Sequence, residues 1–508
     1  MTGEREVIWR RMCDLHAMRA EIAERSEADP AACDPAAQDP ARNSLAGLRA
    51  EIVDAEQALS ELVRAAPFTV PDADMLAPGG AGRHRRSCWM DEAFEEARTE
   101  LFLQACALNA LMLRANAPLL KRSFWMLRGV LNGQFRVDGH TFGRAMQTLL
   151  AITPVVSTSL ASVRRLAMRP DLFGLAIIDE AGQATPQSVL GLAQRSSRLV
   201  MVGDPLQIEP VMTTPQPVVE RLQLLSAVPE RFSLAGVSAQ SVADAVSLRG
   251  AWIGGGETPV WSGHPLRLHR RCDDPMFSIA NAIAYDGQMV HGSGSRPEIS
   301  CALVETDPAR SVWIDVRGLG GDKVVAEEIA ALDAVLRGFK RRWPTIGGPS
   351  GEPSGESSGE PSGDLSGSRA GKRASVFVIS PFVAVATAAR ETAWRVLGRD
   401  HRIICPTGTV HTFQGREADI VVIMLGSAPG ERGRGSRSWA AARPNLLNVA
   451  LTRARRRVIV IGSHEDWSMH PYFRTLADRF YADGSVLRLS DLGGATHRRE
   501  AVARSEVV

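Results

Sequence analysis

Lysine is scarce in this sequence of 508 residues, because all but four of its 59 basic residues are arginines. A phosphate-binding loop of the form G-x-x-x-x-G-K-[S/T] needs a lysine between a glycine and a hydroxyl residue. Only Lys372 follows a glycine, but Arg373 follows it, and Ser366 stands where the first glycine is required. The sequence therefore contains no such loop. The four lysines are Lys121, Lys323, Lys340 and Lys372.

Long apolar runs and paired cysteines are lacking too. No run approaches the roughly 18 apolar residues of a membrane span, and residues 1–12 lack the apolar core of a signal peptide. The seven cysteines are scattered without a C-x-x-C pair, which favours a reducing compartment and no structural zinc. We therefore expect a cytoplasmic protein without a membrane partner. The formal net charge of +2 neither demands nor excludes a polyanionic partner.

The first 150 residues have helical patterns. Apolar residues recur at helical spacing in 1–28 and 43–66, and the Pro-Ala-Asp segment between them predicts the loop of a helical hairpin. The segment 78–88 predicts another loop. We predict residues 1–150 to be a helical region, with further helices over 91–115, 118–131 and 140–150.

From about residue 153 the pattern changes to short apolar runs that alternate with helix-like stretches. This alternation predicts an α/β fold with parallel sheets and functional residues at the carboxyl ends of the strands. We predict a first α/β domain over 151–300 and a second over 301–490, then a frayed tail over 491–508. A Gly/Pro/Ser/Glu repeat over 347–373 predicts a disordered insert. The predicted strands are "PVVSTSL", "GLAIIDE" and "RLVMVGD" in the first domain, and "SVWIDV", "SVFVIS", "RIICP", "DIVVIML" and "RVIVIG" in the second.

Two strand ends in the first domain carry polar residues. Asp179 and Glu180 directly follow the strand "AII". An acid in this place can hold Mg²⁺ while its neighbour polarises a water for attack on a phosphate. Gln207 follows the tight turn Gly203-Asp204-Pro205, where it can sense a terminal phosphate or an attacking water. Taken singly, solvated acids and a structural turn explain these motifs as well.

Arginines mark the second domain. "QGRE" places Gln414, Gly415 and Glu417 just before a strand, and "TRARRR" places Arg453 and Arg455 between a helix and a strand. Arginine presents a planar fork that suits phosphate oxygens. A solvated cationic turn is the alternative. The segment 430–439 sets arginines beside a tryptophan, a combination that can grip phosphate and stack a base, although a mobile soluble loop is an equal alternative.

The ordered set of motifs is more specific than any single one. "PVVSTS", "DEAGQ", "GDPLQ", "LHRRCDDPMFSIAN", "TFQGREAD" and "NVALTRAR" occur in the order and approximate spacing of the motifs of superfamily 1 helicases. The sequence resembles in particular the branch that includes the nonsense-mediated-decay RNA helicase. The resemblance spans about 154–463. It implies two RecA-like domains, the first of them incomplete here, with ATP and Mg²⁺ bound between them and single-stranded DNA or RNA as partner.

The resemblance also implies roles for individual residues. Asp179 matches the acid that holds Mg²⁺, Glu180 the residue that activates water, and Gln207 the γ-phosphate sensor. Arg270 and Arg453 match the arginines that the second domain points at the γ-phosphate. The remaining residues divide between the nucleotide (Gln414, Gly415, Glu417 and Arg455) and the nucleic acid (Ser157 and Thr158 by resemblance, Arg432 and Arg434 by their position beside Trp439).

Such an ATPase also needs the lysine-containing loop that the sequence lacks, so two hypotheses remain. In the first, the chain is an ATP-dependent translocase or helicase whose loop is supplied by an upstream polypeptide, or it is the C-terminal part of a split or truncated enzyme. In the second, it is an inactive relative that binds nucleic acid or protein. Because one preorganised donor can contribute several kcal/mol to transition-state stabilisation, we expect very slow turnover by this chain alone.

Overall fold

The computed structural model describes residues 7–21 without 9 and 16, then 40–65, 75, 81–85, 92–210, 214–226, 237–254, 259–292, 310–318, 323–342 and 374–490. The chain divides into two compact units, residues 1–117 and 118–508. The predictions of a disordered insert over 347–373 and a frayed tail over 491–508 concern residues outside this set.

The first unit is helical in its described part. The described residues between 7 and 21 are helical, and α1 (Pro40–Ala65) and α2 (Glu92–Ala115) follow. Arg19 and Glu56 join the first two helical segments by a salt bridge of 2.5 Å between Nη2 and Oε1, and the predicted loop between these segments lies outside the described residues. The predicted loop over 78–88 is wrong at one point, because Gly82–Arg85 forms a single helical turn.

Two further helices agree with the sequence patterns: α3 (Ala117–Leu131) and α4 (Gly139–Ile152). Asp138 begins α4, since its carboxylate accepts a hydrogen bond from the backbone N–H of Thr141 at 2.9 Å and thereby satisfies a free helix donor. The helices bury a small apolar cluster of Leu127, Ala145, Met146, Ala167 and Leu172.

The first sheet has two strands in the described residues. β1 (Ala176–Ile178) pairs in parallel with β2 (Leu199–Met201), and α5 (Pro186–Ala193) connects them. The predicted strand "PVVSTSL" is wrong, because residues 153–159 are exposed and form no ladder with another strand. An apolar β-branched run becomes a strand only where a partner satisfies its backbone groups.

Smaller elements follow before the second sheet. The helix Met276–Ala284 contributes to the core beneath the second sheet, and Tyr285 ends this helix. The elements are α6 (Gln216–Leu225), α7 (Ala239–Ala245), the antiparallel pair β3 (Ala251–Ile253) and β4 (Val260–Ser262), α8 (Met276–Ala284), and the parallel pair β5 (Leu268–His269) and β6 (Val290–His291).

The second sheet is a six-stranded parallel sheet whose strands lie side by side in the order Val486–Arg488, Val312–Asp315, Ala454–Gly462, Ala418–Met424, Val376–Ser380, Thr407–Thr409. Its central strands are runs of valine and isoleucine that are buried on both faces, as parallel sheets covered by helices require. Its strands are β7 (Val312–Asp315), β8 (Val376–Ser380), β9 (Thr407–Thr409), β10 (Ala418–Met424), β11 (Ala454–Gly462) and β12 (Val486–Arg488).

Helices cover the sheet and build the main core with it. The helices are α9 (Ala326–Arg342), α10 (Val383–Leu397), α11 (His401–Ile404), α12 (Gly430–Ala440), α13 (Asn445–Thr452), α14 (His464–Ser468) and α15 (Pro471–Ala482).

One predicted strand of the second domain is wrong. "RIICP" forms the short helix α11, since Cys405 closes a helical turn by donating its N–H to the carbonyl of His401 at 2.8 Å. Ile403 points to solvent there, so this apolar run is not a buried strand. Among the described helices, none combines the length and hydropathy that crossing a bilayer requires.

Candidate nucleotide site

Two carboxylates lie at the carboxyl end of β1. Asp179 is exposed, and its Oδ1 accepts a hydrogen bond from the backbone N–H of Glu180 at 2.9 Å. Glu180 has a left-handed backbone with φ of 54°, a conformation that costs a residue with a side chain of order 1 kcal/mol and concentrates at functional sites. Its Oε2 accepts a hydrogen bond from Nε2 of Gln183 at 3.0 Å. The turn therefore holds Glu180 in a defined position.

Glycines allow the ends of β1 and β2 to approach each other. A Cβ atom on Gly203 would lie 2.6 Å from the backbone nitrogen of Gly182, and one on Gly182 would lie 2.9 Å from the carbonyl oxygen of Asp204. Both distances are too short for a side chain. The glycines in "DEAGQ" and "GDPLQ" therefore have a packing reason, which is to bring Glu180 and the loop that carries Gln207 together.

A buried hydrogen-bond network holds the loop after β2. The hydroxyl of Tyr285 donates to Oδ2 of Asp204 at 2.5 Å and accepts from Nδ2 of Asn448 at 2.9 Å. Burial and the neighbouring Asp204 carboxylate raise the pKa of Tyr285 well above its usual 10, so the hydroxyl keeps its proton. Gln207 donates from Nε2 to the same Asp204 oxygen at 3.0 Å. Helix α13 thus fixes this loop through Asn448.

Glu417 lies between two arginines just before β10. Its Oε2 is 2.7 Å from Nε of Arg271, and its Oε1 is 2.5 Å from Nη2 of Arg455. All three side chains are partly exposed, so each pair contributes about 1 kcal/mol or less to stability. The main effect of these ion pairs is on geometry, because the Glu417 carboxylate orients the guanidinium groups of Arg271 and Arg455.

Arg453 is a buried cation at the end of α13, with 1% of its surface exposed. It donates from Nε to the carbonyl of Val449 at 3.1 Å and from Nη1 to the carbonyl of Arg416 at 3.0 Å. Burial and then the neighbouring Arg271 lower the pKa of Arg453 to about 10, and Glu180 opposes the shift. The guanidinium is therefore charged at neutral pH and is within electrostatic reach of Glu180.

The acids of the first sheet and the arginines of the second converge. A Cβ atom on Gly415 would lie 3.7 Å from Oε1 of Glu180, so the "QGRE" segment sits against the end of β1. Gly415 has φ of 75°, which favours glycine at this turn. A carboxylate at the carboxyl end of β1 thus meets a buried guanidinium and an orienting Glu417 at the amino ends of β11 and β10. That arrangement suits a phosphate-bearing ligand.

Sequence comparisons match both halves of this site. Models described as AAA domain match residues 135–215, which contain Asp179, Glu180 and Gln207, and residues 364–465, which contain the "QGRE" segment and Arg453. Putative helicase MOV-10 from Gallus gallus is 24% identical over 63% of this chain and 33% of its own length. The chain thus contains a portion that is similar to superfamily 1 helicases.

Two further similarities accompany this one. The DNA replication ATP-dependent helicase/nuclease DNA2 from Mus musculus is 22% identical over 66% of this chain and 29% of its own length. The chain thus spans about a third of the length of these curated relatives. A crystal structure of an arterivirus nonstructural protein 10 (helicase) aligns with 58% of this chain and 41% of its own, at 13% identity and a TM-score of 0.25.

The other predicted residues are Arg270, Ser157, Thr158, Arg432 and Arg434, for which the structure describes the following positions. Arg270 is exposed, and the neighbouring Arg271 is the residue that contacts Glu417. Ser157 and Thr158 are exposed in the segment that precedes a short 3-10 helix. Arg432 and Arg434 lie on α12, which is a helix and not the loop that the sequence allowed.

Sequence reasoning missed three residues that the structure brings to the site: Arg271, Tyr285 and Asn448. Arg271 adjoins Arg270 in the sequence and has the same side chain, so only its contact with Glu417 distinguishes it. Asn448 is a polar residue within an apolar helix, a pattern that often marks a buried contact. Tyr285 had no local signal, because its partners are 81 and 163 residues away.

The residues present fit a nucleotide with Mg²⁺ in part. Within the described residues, no group of three or more His, Cys, Asp or Glu is placed to hold a metal ion. Mg²⁺ in nucleotide sites, however, usually takes one or two carboxylates and completes its shell with water and phosphate, for which the exposed Asp179 suffices. Buried atoms without a hydrogen-bond partner in the described part include Oε1 of Gln207 and Nε2 of Gln414, which leaves polar groups ready for a ligand.

Proposed function

We propose that this helicase-like chain forms part of an ATP-dependent translocase or helicase that acts on single-stranded DNA or RNA. The observation that carries the proposal is the convergence of Glu180 with the "QGRE" segment and Arg453. In the proposed mechanism Asp179 would hold Mg²⁺, which supplies charge neutralisation at the phosphates. Glu180 would accept a proton from the attacking water, and Arg453 and Arg271 would stabilise the charge on the transferring group.

The hydrogen-bond network gives Gln207 a second task in this proposal. Its side chain is bonded to Asp204, and its backbone carbonyl accepts from Nδ2 of Asn445 at 2.6 Å. A change at the nucleotide would therefore reach α13 and the second sheet through Gln207. This connection supports movement along nucleic acid driven by ATP.

We further propose that a separate segment supplies the lysine-containing phosphate loop, as an upstream polypeptide or as a part of a longer protein. The first sheet supports this idea. β1 and β2 are the only strands of that sheet in the described residues, and Ile177 and Val200 are 63% and 43% exposed. Parallel sheets are normally covered on both faces, so a further strand with its helix would bury these side chains.

ATP hydrolysis with and without single-stranded oligonucleotide tests the proposal. We expect very slow turnover by the chain alone and stimulated turnover once a polypeptide carrying G-x-x-x-x-G-K-[S/T] is added. Glu180→Gln should abolish the added turnover and leave oligonucleotide binding unchanged.

A second candidate is a catalytically inactive module that binds nucleic acid or protein, which the lack of the loop from this sequence favours. It predicts oligonucleotide or protein binding without stimulated turnover under any complementation. Rapid hydrolysis by the chain alone that disappears in Glu180→Gln would contradict both the expected dependence on the loop and the inactive module.

A further inference from the structure

Helix α12 presents an aromatic side chain to solvent beside a buried one. Trp439 is 58% exposed, and its ring centroid lies 6.0 Å from that of Phe382 with the two planes inclined by 36°. Phe382 itself is buried at the start of α10. Among the described residues the indole N–H of Trp439 has no hydrogen-bond partner. Phe382 thus packs against the indole of Trp439 from the inside, while more than half of the Trp439 surface remains exposed to solvent.

Two cations lie on the same surface without an acidic partner in the described part of the chain. Nζ of Lys323 is 5.6 Å from the ring centroid of Phe382. The backbone of Lys323 is fixed, because its carbonyl accepts from the N–H of Ser427 at 2.8 Å. Arg432 is exposed on α12. Arg434 differs, since its Nη1 lies 3.3 Å from Oε2 of Glu431.

The buried side of α12 places the two exposed arginines, Arg432 and Arg434, on different flanks of the helix. Arg437 is buried and donates from Nη1 to the carbonyl of Ala428 at 2.6 Å, so its role is to hold the helix in place. At about 100° per residue, Arg432 and Trp439 share one flank of α12, because seven residues make nearly two full turns. Arg434 falls on the opposite flank of the line through the buried Gly433 and Arg437. Position on the helix therefore pairs Arg432, and not Arg434, with the tryptophan.

We infer that Trp439, supported by Phe382 and flanked by Lys323 and Arg432, is a base-stacking platform for single-stranded nucleic acid. An exposed indole offers a face to any base, and the two unpaired cations suit the adjoining phosphates. These four residues are called the aromatic platform below. The inference rests on the proposed action on nucleic acid and assigns that ligand to one surface of the second sheet.

Binding of a fluorescein-labelled oligo(dT) of 20 nucleotides to the full chain, followed by anisotropy over a salt series, tests the inference. Trp439→Ala should weaken binding by roughly five- to a hundredfold, the range that stacking of one base gives. Trp439→Phe should retain most of the affinity. Lys323→Gln and Arg432→Gln should each weaken binding and reduce the salt slope by about 0.7, the value for one phosphate contact on a single strand. Arg434→Gln is the matched control and should bind like the unmodified chain.

An abasic oligonucleotide of the same length separates stacking from indirect effects. The unmodified chain and Trp439→Ala should bind this probe equally, because it has no base to stack. An equal loss on both probes would overturn the stacking role. If the unmodified chain binds oligo(dT) and every platform variant binds it as well, the aromatic platform is refuted while the proposed function stands. If the unmodified chain binds no oligonucleotide even at low salt, both fail.

Circular dichroism and urea unfolding of each variant check the fold. Should Trp439→Ala fail to fold, Lys323→Gln and Arg432→Gln decide the question, because they remove only surface charges and keep the aromatic pair. A normal salt slope in both would then overturn the inference.

Discussion

Removal of the Tyr285 hydroxyl should destabilise the contacts between the loop after β2 and helix α13. Tyr285→Phe keeps the ring and deletes the group that donates to Asp204 and accepts from Asn448. A hydrogen bond to a charged group contributes about 1.5–3 kcal/mol. Asp204 keeps two other donors, the side chain of Gln207 and the backbone of Leu206, so the loss should fall near the lower end of this range. We expect about 2 kcal/mol less unfolding free energy.

Urea unfolding at neutral pH, followed by circular dichroism, measures this loss. The sequence has three tyrosines, and Tyr481→Phe is the matched control because that side chain is 76% exposed. A double-mutant cycle with Asn448→Ala should give a coupling energy above about 0.5 kcal/mol, since the two side chains are in direct contact. An unfolding midpoint for Tyr285→Phe equal to that of Tyr481→Phe would refute the network.

Two other changes have calculable effects. Burial raises the pKa of Glu328 to about 8, while its Oε2 accepts from the N–H of Gly426. The unfolded chain releases this proton at lower pH than the folded chain, so the stability that Glu328 contributes is lost as pH rises from about 4.5 to 8. Glu328→Gln keeps an acceptor for the N–H of Gly426, so its unfolding free energy should equal that of the unmodified chain at pH 4 and exceed it by roughly 2–4 kcal/mol at pH 8.5. Urea unfolding at a series of pH values measures the difference. The same dependence of unfolding free energy on pH in both proteins would contradict the prediction. Lysine at position 453 cannot make both carbonyl contacts of the Arg453 guanidinium, so Arg453→Lys should lower the unfolding free energy by about 1–3 kcal/mol. The exposed Arg479→Lys is the control. An unfolding midpoint unchanged by Arg453→Lys would show that the buried guanidinium is not needed for stability.

The strands of the second sheet that are buried on both faces were predictable from their amino-acid composition. Four of the five runs assigned to the second domain became β7, β8, β10 and β11, because each is a continuous Val/Ile-rich segment that needs cover on both sides. "RIICP" failed because three apolar letters do not distinguish a short helix from a strand. "PVVSTSL" failed for a different reason. Its composition suits a strand, but the described residues offer it no pairing edge.

The site was predictable only as far as its motifs are local. Glu180, Gln207, Glu417 and Arg453 lie in short segments whose order along the chain identified them, and the structure brings these segments together. Their precise contacts depend on side-chain direction and on distant neighbours. The sequence does not distinguish Arg271 from Arg270, because the contact that selects Arg271 is made with Glu417, which is distant along the chain.

The loops that carry Glu180, Gln207 and Gln414 contain features that suit ligand binding but lower stability. The left-handed Glu180 is a strained residue, and the loops that carry Gln207 and Gln414 each bury a side-chain atom without a hydrogen-bond partner. Such features lower stability unless a ligand satisfies them. The chain offsets them with the Tyr285 network, which ties the loop after β2 to α13, and with Glu417, which holds Arg271 and Arg455 in place. A ligand that satisfied these groups should therefore raise the stability of these loops more than that of the six-stranded sheet.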